Sequence, residues 1–173
     1  LVILFGIKNI VLKPLNRNLI DDIWSKKPKD LIKPFFSLSK KHAGQSSQEK
    51  ISKIKNVLLK NKIDYLLVTA PENIAWILNI RGHDSAFSPI PNARLLINSK
   101  GGIDLFSQLK KIKKIKKTFS KKIDFYDENK LEEKLKNLWK NNIWLDSLSC
   151  SIHYKNFLKK KNKIIEKIDP IYF

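Results

Sequence analysis

Between residues 46 and 80, the spacing of the apolar residues changes from that of a helix to that of a strand and then back to that of a helix. A capping-box spacing at Ser46 and Glu49 opens an amphipathic pattern that predicts a helix over residues 46–61. The next run, DYLLVTA at 64–70, is short, apolar and partly β-branched, which is typical of a buried strand. PENIAWILNI at 71–80 starts with a proline and an acidic residue, both favourable in the first turn of a helix. A chain that alternates helices and strands in this way folds as a layered α/β domain.

The alternation of helices and strands continues to the end of the chain. ARLLINS and IDLFS, joined by the turn KGG, predict an antiparallel hairpin, and IDFYD, IWLD and KIIEKIDPI predict further strands. Helices are predicted at about 107–117, over DENKLEEKLKNLWKN, and at about 151–160. In the second of these helices, the apolar face consists of Leu131, Leu135, Leu138 and Trp139. We therefore predict an α/β fold with a layered mixed β-sheet flanked by helices.

The residues before this domain have a different composition. Short apolar runs at 1–5 and 9–12 predict one or two short strands, which are too few for a domain of their own. NLIDDIW predicts a short helix, and the lysine and proline pairs between residues 17 and 41 suit an extended connector. We place the start of the α/β domain at about residue 44. The chain lacks methionine and opens inside an apolar run, so we expect it to be part of a longer protein.

The charge of the chain is strongly basic but depends on lysine. The formal net charge is +19, and only three of the 35 basic residues are arginines. Anion recognition usually recruits arginine for its bidentate fork, so a coding bias towards lysine explains the charge without a polyanionic ligand. The run KKIKKIKK at 110–117 is the strongest contrary feature, because it combines a lysine surface with an isoleucine stripe. We interpret it as a solvated helix packed by its isoleucines, and we expect neither nucleic acid nor a membrane as a partner.

Side chains able to carry out chemistry are few and scattered along the chain. The five glycines form no phosphate-binding loop. His42, His83 and His153 share no ligand-like spacing, so we predict no metal site in this chain. The single cysteine, Cys150, cannot form an internal disulfide, and we interpret it as a buried small residue rather than a nucleophile. One lone cysteine fits a reducing, cytoplasmic location.

A signature between residues 69 and 97 points to a family. The segment TAPENIAWILNIRGHDSAFSPIPNARLLI resembles the three-domain Xaa-Pro aminopeptidases (aminopeptidase P, creatinase/prolidase superfamily). The family signature I-A-W-L-x-N-x-R-G-x-D is carried here by Ile74, Ala75, Trp76, Asn79, Arg81, Gly82 and Asp84. NLIDDIW and the triplet His42-Ala43-Gly44 are similar to the linker of that family. The chain departs from the usual pattern at His83, where serine is common, and at Asn92 and Arg94, where apolar or aromatic residues are common.

The resemblance implies a domain layout. Residues 1–15 would be the tail of a preceding N-terminal domain, 16–43 a short helix and a Pro/Lys-rich linker, and 44–173 a creatinase-like second N-terminal α/β domain. The catalytic pita-bread domain is absent and would follow residue 173. That domain would hold two divalent metal ions, expected to be manganese. This chain would therefore have no cofactor, no catalytic residue and no activity of its own.

The resemblance also implies a function for the parent protein, which would be a cytoplasmic metallopeptidase that removes the N-terminal residue preceding proline. The present chain would be its non-catalytic N-terminal region, which shapes active-site access and assembly. Its partners would be its own catalytic domain, peptides with proline in second position and, in a homodimer, a second copy of the chain. The alternative is a lysine-rich module that binds nucleic acid or another polyanion.

Three residues of the signature loop are candidates for substrate binding, namely Arg81, His83 and Asp84. Arg81 would contact an anion or a carbonyl group, and Asp84 would bind the free amine of a peptide. The structural alternative is an ion pair between Arg81 and Asp84 that braces the loop, with Gly82 supplying a positive φ at the helix end. The sequence leaves both alternatives open.

Overall fold

The chain divides into two compact units, residues 1–31 and 32–173. The computed structural model describes residues 11, 13, 15, 17–28, 32–119 and 123–173. In the first unit, helix α1 spans Leu19–Ile23, and the Asn18 side chain caps it by accepting a hydrogen bond from the Ile20 N–H (3.0 Å). The strands predicted at 1–5 and 9–12 lie outside the described residues, apart from Val11, which is in no strand.

The second unit is built on a mixed β-sheet. Its described strands are β1 Phe36–Ser37, β2 Tyr65–Val68, β3 Ile80–Arg81, β4 Arg94–Asn98, β5 Ile103–Phe106, β6 Asp124–Tyr126, β7 Asn142–Leu145 and β8 Lys163–Glu166. Six of them form one sheet in the order β6-β5-β4-β2-β7-β8. Strand β4 pairs antiparallel with both neighbours, and every other pair is parallel. The other five strands therefore run in one direction, and their carboxyl ends share one side of the sheet, which we call the carboxyl edge.

Helices connect most of these strands. They are α2 Lys40–Ala43, α3 Ser47–Lys60, α4 Pro71–Leu78, α5 Leu109–Ile112, α6 Leu131–Lys136 and α7 Ile152–Lys159. The helices predicted at 46–61, 71–80 and 151–160 are confirmed, as is the antiparallel hairpin of β4 and β5. The predicted layered α/β fold is thus confirmed.

The sheet packs between two layers of helices because its strands alternate their apolar side chains. Helices α3, α4 and α5 cover one face, and helices α6 and α7 cover the other. In β2, Leu66 and Val68 belong to the first core, whereas Leu67 belongs to the second, as the period of two in a strand requires. The helical residues of the first core include Ile51, Ile54, Leu58, Ile74, Ile77 and Ile112. Those of the second include Leu131, Leu135 and Leu158.

Helix α3 begins at a complete capping box. The Glu49 N–H donates to Ser46 Oγ (3.2 Å), and Glu49 Oε2 accepts a hydrogen bond from the Ser46 N–H (2.6 Å). Lys40 Nζ lies 3.0 Å from Glu49 Oε1. These contacts, the Ser46 backbone hydrogen bond first among them, lower the pKa of Glu49 to about 2. The ionised side chain is therefore part of the start of this helix.

Residues 32–43, predicted as an extended connector, belong to the second compact unit. Phe35 is fully buried in the first core, and its N–H donates to the carbonyl of Lys111 (2.8 Å). Strands β1 and β3 pair antiparallel in a small separate sheet, with Phe36 opposite Arg81. The connector therefore packs on the domain. The start of the α/β domain at residue 44 and the assignment of residues 1–15 to a preceding domain both stay predictions.

Two details of the helix predictions are wrong. The helix expected over 107–117 is broken into α5 and a 3-10 turn at Ile115–Lys117. The Lys111 carbonyl, which a continuous α-helix would bond to Ile115, instead accepts the Phe35 N–H. Trp139 is 62% exposed, because α6 ends at Lys136 and the following residues leave the helical register.

The capping box predicts a pH-dependent stability. Glu49→Gln should lower the unfolding temperature at pH 7, because the amide loses the charge that the helix start favours. The Glu49 pKa of about 2 lies below its ordinary 4.5, so its contribution is complete above about pH 4.5 and is lost as the pH falls through about 2. Thermal melts of both proteins between pH 2 and 7 measure this difference. Glu128→Gln, at an exposed carboxylate, is the control, and an E49Q difference that stays constant over this range would contradict the assignment.

Candidate functional site

Helix α4 ends at Leu78, and its C-cap residue Asn79 lies just before the segment 81–91, which we call the signature loop. Asn79 has a left-handed backbone with φ of 51°, a conformation that asparagine tolerates. Its Nδ2 donates to the carbonyl of Gln45 (2.7 Å), which fixes the side chain. The sequence-based expectation of a positive φ at Gly82 is therefore wrong, since Gly82 is not among the described residues with positive φ.

Gly82 is required for a different reason, the close approach of a second chain segment. A Cβ atom at this position would lie 2.8 Å from the Ile90 carbonyl oxygen and 2.9 Å from Pro91 Cα. The Gly82 N–H donates to the carbonyl of Pro89 (3.1 Å), which closes the loop over residues 82–91. The glycine thus marks the point where the loop returns to its own beginning.

The Arg81 side chain binds the end of helix α4. Its Nη1 donates to the carbonyls of Ala75 (2.9 Å) and Ile80 (2.8 Å). Carbonyl groups in the last turn of a helix lack partners within the helix, and the helix dipole favours a cation there. The half-buried guanidinium therefore has a structural role at this helix end.

A second cation, Lys50 of helix α3, reaches the same helix end from the core. Lys50 is 3% exposed, and its Nζ donates to the carbonyl of Trp76 (2.9 Å) and to Asn79 Oδ1 (2.6 Å). The same ammonium lies 4.1 Å from the centroid of the Trp76 ring. Burial, followed by the charge of Arg81, lowers the pKa of Lys50.

The Asp84 carboxylate pairs with Lys111 and not with Arg81. Lys111 Nζ lies 2.6 Å from Asp84 Oδ1, and the two side chains are only 9% and 14% exposed. Asp84 Oδ2 accepts a hydrogen bond from the Asn92 N–H (2.6 Å). The alternative of an ion pair between Arg81 and Asp84, which the sequence left open, is therefore wrong, because each side chain binds other groups. Whether either residue contacts substrate stays a prediction.

His83 is the exposed member of the signature loop. Its ring lies 5.4 Å from the ring of Phe36 on strand β1, centroid to centroid. The loop thus brings Arg81, His83 and Asp84 into one segment but aims them at three different environments. Arg81 faces the helix end, Asp84 faces helix α5, and His83 faces the surface.

The signature loop is connected to the carboxyl edge through Asn92. The Asn92 N–H binds Asp84, as described above, and its carbonyl accepts a hydrogen bond from Ser107 Oγ (2.8 Å) at the end of strand β5. Asn92 Oδ1 lies 3.4 Å from Nη1 of Arg94, the first residue of strand β4. Two of the three departures from the family pattern, Asn92 and Arg94, therefore lie beside the loop that carries the signature, and the third, His83, lies within it.

Other polar residues collect at the carboxyl ends of β2, β7 and β8. Thr69 Oγ1 and Ser149 Oγ are 2.9 Å apart. The carboxylate of Asp146 accepts hydrogen bonds from the N–H groups of Leu148 (2.9 Å) and Asp169 (3.1 Å). Burial raises the pKa of Asp169. In open α/β sheets this edge is the usual place for ligands.

The remaining candidates for chemistry lie apart from one another. Within the described ranges, no three His, Cys, Asp or Glu side chains come together in an arrangement able to hold a metal ion. His42 is exposed beside Ser39, and His153 is exposed with Nε2 2.8 Å from Glu132 Oε1. Burial raises the pKa of the Cys150 thiol to about 11, so this thiol is protonated at neutral pH and is a poor nucleophile.

Sequence reasoning missed Lys50 and Lys111. Lys111 lies in the run of lysines that was interpreted as a solvated face, and its neighbour Lys110 is indeed exposed. Only the position of Asp84 in the folded chain distinguishes the two lysines. For Lys50, the nearest signal is the spacing of helix α3, because Lys50 precedes Ile51 and faces the core side of that helix.

The close approach at Gly82 can be tested by adding one methyl group. Gly82→Ala should lower the free energy of unfolding by about 1–3 kcal/mol, because both clashing atoms belong to the backbone and cannot rotate away. Gly102→Ala is the matched control, since no heavy atom lies within 4 Å of its added Cβ. Urea denaturation measures both changes, and equal midpoints for the two variants would contradict the close approach.

The ion pair of Asp84 and Lys111 predicts a second stability difference. Lys111→Met should cost about 3 kcal/mol, because it leaves the Asp84 carboxylate poorly solvated and without its cation. Lys110→Met, one residue earlier on the exposed side, should change the unfolding free energy by less than about 0.5 kcal/mol. The double variant D84N/K111M should recover part of the loss, since no buried charge remains. Similar losses of unfolding free energy for K110M and K111M would contradict the ion pair between Asp84 and Lys111.

Comparison with known proteins identifies the relatives of this chain. The Creatinase/Prolidase N-terminal domain family matches residues 26–173. Xaa-Pro aminopeptidase 1 of Dictyostelium discoideum is 32% identical over 147 residues, which cover 83% of this chain and 22% of that protein. "Probable Xaa-Pro aminopeptidase P" of Coprinopsis cinerea is 36% identical over 84 residues, which cover 48% of this chain and 14% of that protein. The chain thus spans a minor part of the length of either relative.

A solved structure shares the fold. The crystal structure of X-prolyl aminopeptidase from Caenorhabditis elegans, described as a cytosolic enzyme with a di-nuclear active site, superposes with a TM-score of 0.75 at 18% identity. The match covers 88% of this chain and 26% of that one. Of the helices that the structure describes, none is long and apolar enough to cross a membrane. The family resemblance seen in the sequence is confirmed: the chain belongs to the Creatinase/Prolidase N-terminal domain family, and its relatives are Xaa-Pro aminopeptidases.

Proposed function

We propose that this chain is the non-catalytic N-terminal region of a cytoplasmic, metal-dependent Xaa-Pro aminopeptidase. The observation that carries the proposal is the match to the Dictyostelium enzyme, which covers 83% of this chain but only 22% of that protein. The parent protein would remove the N-terminal residue that precedes proline in peptides. Its metal ions, expected to be manganese, would activate a water molecule in a separate catalytic domain.

The signature loop supports a role at the entrance to the active site. Arg81 and Asp84 are both held by hydrogen bonds to neighbouring segments, so they position the loop. His83 and Phe87 are exposed on it, and Phe87 has no contact that shields its ring. An exposed imidazole and an exposed aromatic ring on a braced loop are suited to contact a peptide. In this role Arg81 and Asp84 would affect substrate binding through the loop, and His83 would affect it directly.

An apolar groove supports contact with a catalytic domain. The groove has a volume of about 840 Å³ and lies beside helix α3, and its lining includes Ile54, Val57, Trp76, Trp144, Ile168 and Phe173. Trp76 is 44% exposed and Phe173 is 94% exposed. Exposed apolar surface of this kind usually marks an interaction site. Lys53 and Lys167 also line the groove, so the surface that covers it should carry carboxylates.

The alternative function, a lysine-driven polyanion module, has less support. Lys111, in the run 110–117, is nearly buried in an ion pair, so the run is not one uninterrupted basic surface. A polyanion module would bind DNA at physiological salt with a steep salt dependence. The aminopeptidase proposal requires no such binding.

The proposal is tested on the complete product of the gene. We expect it to release the first residue of peptides with proline in second position, to lose this activity with a chelator and to regain it with Mn²⁺. His83→Ala should raise KM several-fold with little change in kcat, whereas His153→Ala, at an exposed histidine in helix α7, should change neither. Absence of Xaa-Pro hydrolysis would overturn the proposed function. An unchanged KM for H83A would overturn only the role at the entrance. Light scattering on the same sample tests the proposed homodimer.

A further inference from the structure

The carboxyl edge contains a pocket that the proposed function does not use. It has a volume of about 520 Å³, within the range of small-molecule sites. Its lining includes Asn92, Arg94, Phe106, Glu128, Glu132 and Tyr154. These residues come from the start of β4 and the residues just before it, the end of β5, the helix α6 with the 3-10 turn Glu128–Lys130 that leads into it, and the helix α7. Four separate elements thus contribute to one pocket beside the signature loop.

Arg94 offers this pocket an unused edge of its guanidinium group. The hydrogen bonds of Arg94 use only Nη1, which donates to the Ala93 carbonyl (2.7 Å) and is 3.4 Å from Asn92 Oδ1. Within the described ranges, Nε and Nη2 of Arg94 form no hydrogen bond or ion pair. Two parallel N–H donors of this kind fit a carboxylate in bidentate fashion. The contact to the Ala93 carbonyl holds the half-buried side chain in place.

The opposite charge in the pocket comes from two carboxylates. The side chain of Glu128 forms no ion pair or hydrogen bond within the described ranges, and Glu132 has one exposed partner, His153, at 2.8 Å. Neither glutamate is paired with Arg94. The pocket therefore presents a donor group for a carboxylate and a separate acceptor group for an ammonium.

An apolar floor completes the lining of the pocket. Phe106 is 1% exposed and stacks on Tyr126, with ring centroids 5.4 Å apart. Leu131 is 2% exposed and also lines the pocket. The half-buried Tyr154 adds a phenol group at the wall. Such a floor favours a ligand with an aliphatic side chain over a purely polar ion.

We propose that this pocket binds a small zwitterion with an aliphatic side chain, a free amino acid or a dipeptide, with its carboxylate on Arg94 and its ammonium group on Glu128. The guanidinium and the carboxylates of the pocket are complementary to the two ends of such a ligand, and a plain anion would be repelled by the two glutamates. An amino acid is also the kind of product that an aminopeptidase releases. That last link rests on the proposed function, whereas the binding site itself does not.

The test uses the 173-residue chain and nuclear magnetic resonance. Spectra of the ¹⁵N-labelled protein are recorded during titration with L-leucine and, separately, with L-leucyl-glycine. We expect saturable shifts at the amides of Asn92, Leu131 and Tyr154 with at least one of them, and the tighter one identifies the ligand class. L-leucinamide, which lacks the carboxylate, and 4-methylpentanoate, which lacks the amine, should each bind about tenfold more weakly or worse.

Matched variants assign the charges. Arg94→Leu should abolish the shifts and Arg94→Lys should weaken binding, since lysine keeps the charge without the fork. Arg17→Leu, in the first unit, should leave binding unchanged. Glu128→Gln should weaken binding about tenfold, whereas Glu133→Gln, outside the pocket lining, should not. The spectra also show whether each variant is folded.

Three outcomes would overturn the inference. They are the absence of saturable shifts with both zwitterions, binding of 4-methylpentanoate as tight as that of L-leucine, and R94L binding equal to wild type in a folded protein. None of these outcomes depends on peptidase activity. A complete gene product without Xaa-Pro hydrolysis would overturn the proposed function and leave this site untouched.

Discussion

The Asp84 carboxylate holds together the end of the domain that carries the family signature. It binds Lys111 of helix α5 and the N–H of Asn92, which leads into strand β4. The carbonyl of the same Lys111 accepts the N–H of Phe35, so the segment before α2 is tied to the same point. A nearly buried ion pair is stabilised when further hydrogen bonds satisfy its charged groups, and here the backbone N–H of Asn92 satisfies the second oxygen of Asp84.

The direction of the strands explains why polar groups collect beside that loop. Strand β4 alone runs against the other five strands of the large sheet, so five carboxyl ends share one edge. Backbone groups beyond a strand end have no ladder partner, and polar side chains from the following turns satisfy them, as Asp146 does for Leu148 and Asp169. The same edge holds Arg94 and the pocket that its side chain lines. The fold thus separates an apolar groove near Trp76 from a polar edge near Asn92.

The parts of the fold that local chemistry specifies could be predicted from the sequence. Helix α3 and strand β2 follow from the capping box and from one short apolar run, because both signals involve residues close in the chain. The helix over 107–117 could not be predicted correctly. The carbonyl of Lys111, which would continue the helix, accepts the N–H of Phe35, a residue distant in the chain. From the sequence, Gly82 is needed for a positive φ, whereas the structure requires it for a close approach of the backbone. Its neighbours, Ile90 and Pro91, come close only after the loop closes.

The sequence by itself determined the α/β class, the order along the chain of the six strands of the large sheet and the family, because periodicity, caps and the signature are local properties of the chain. The tertiary structure alone decided which charges pair. Nothing local distinguishes Lys111 from Lys110, yet one is nearly buried against Asp84 and the other is exposed. Arg81 and Asp84 are near neighbours in the chain but bind a helix end and a different helix. Charges pair according to distance and burial in space, and those quantities exist only once the chain has folded.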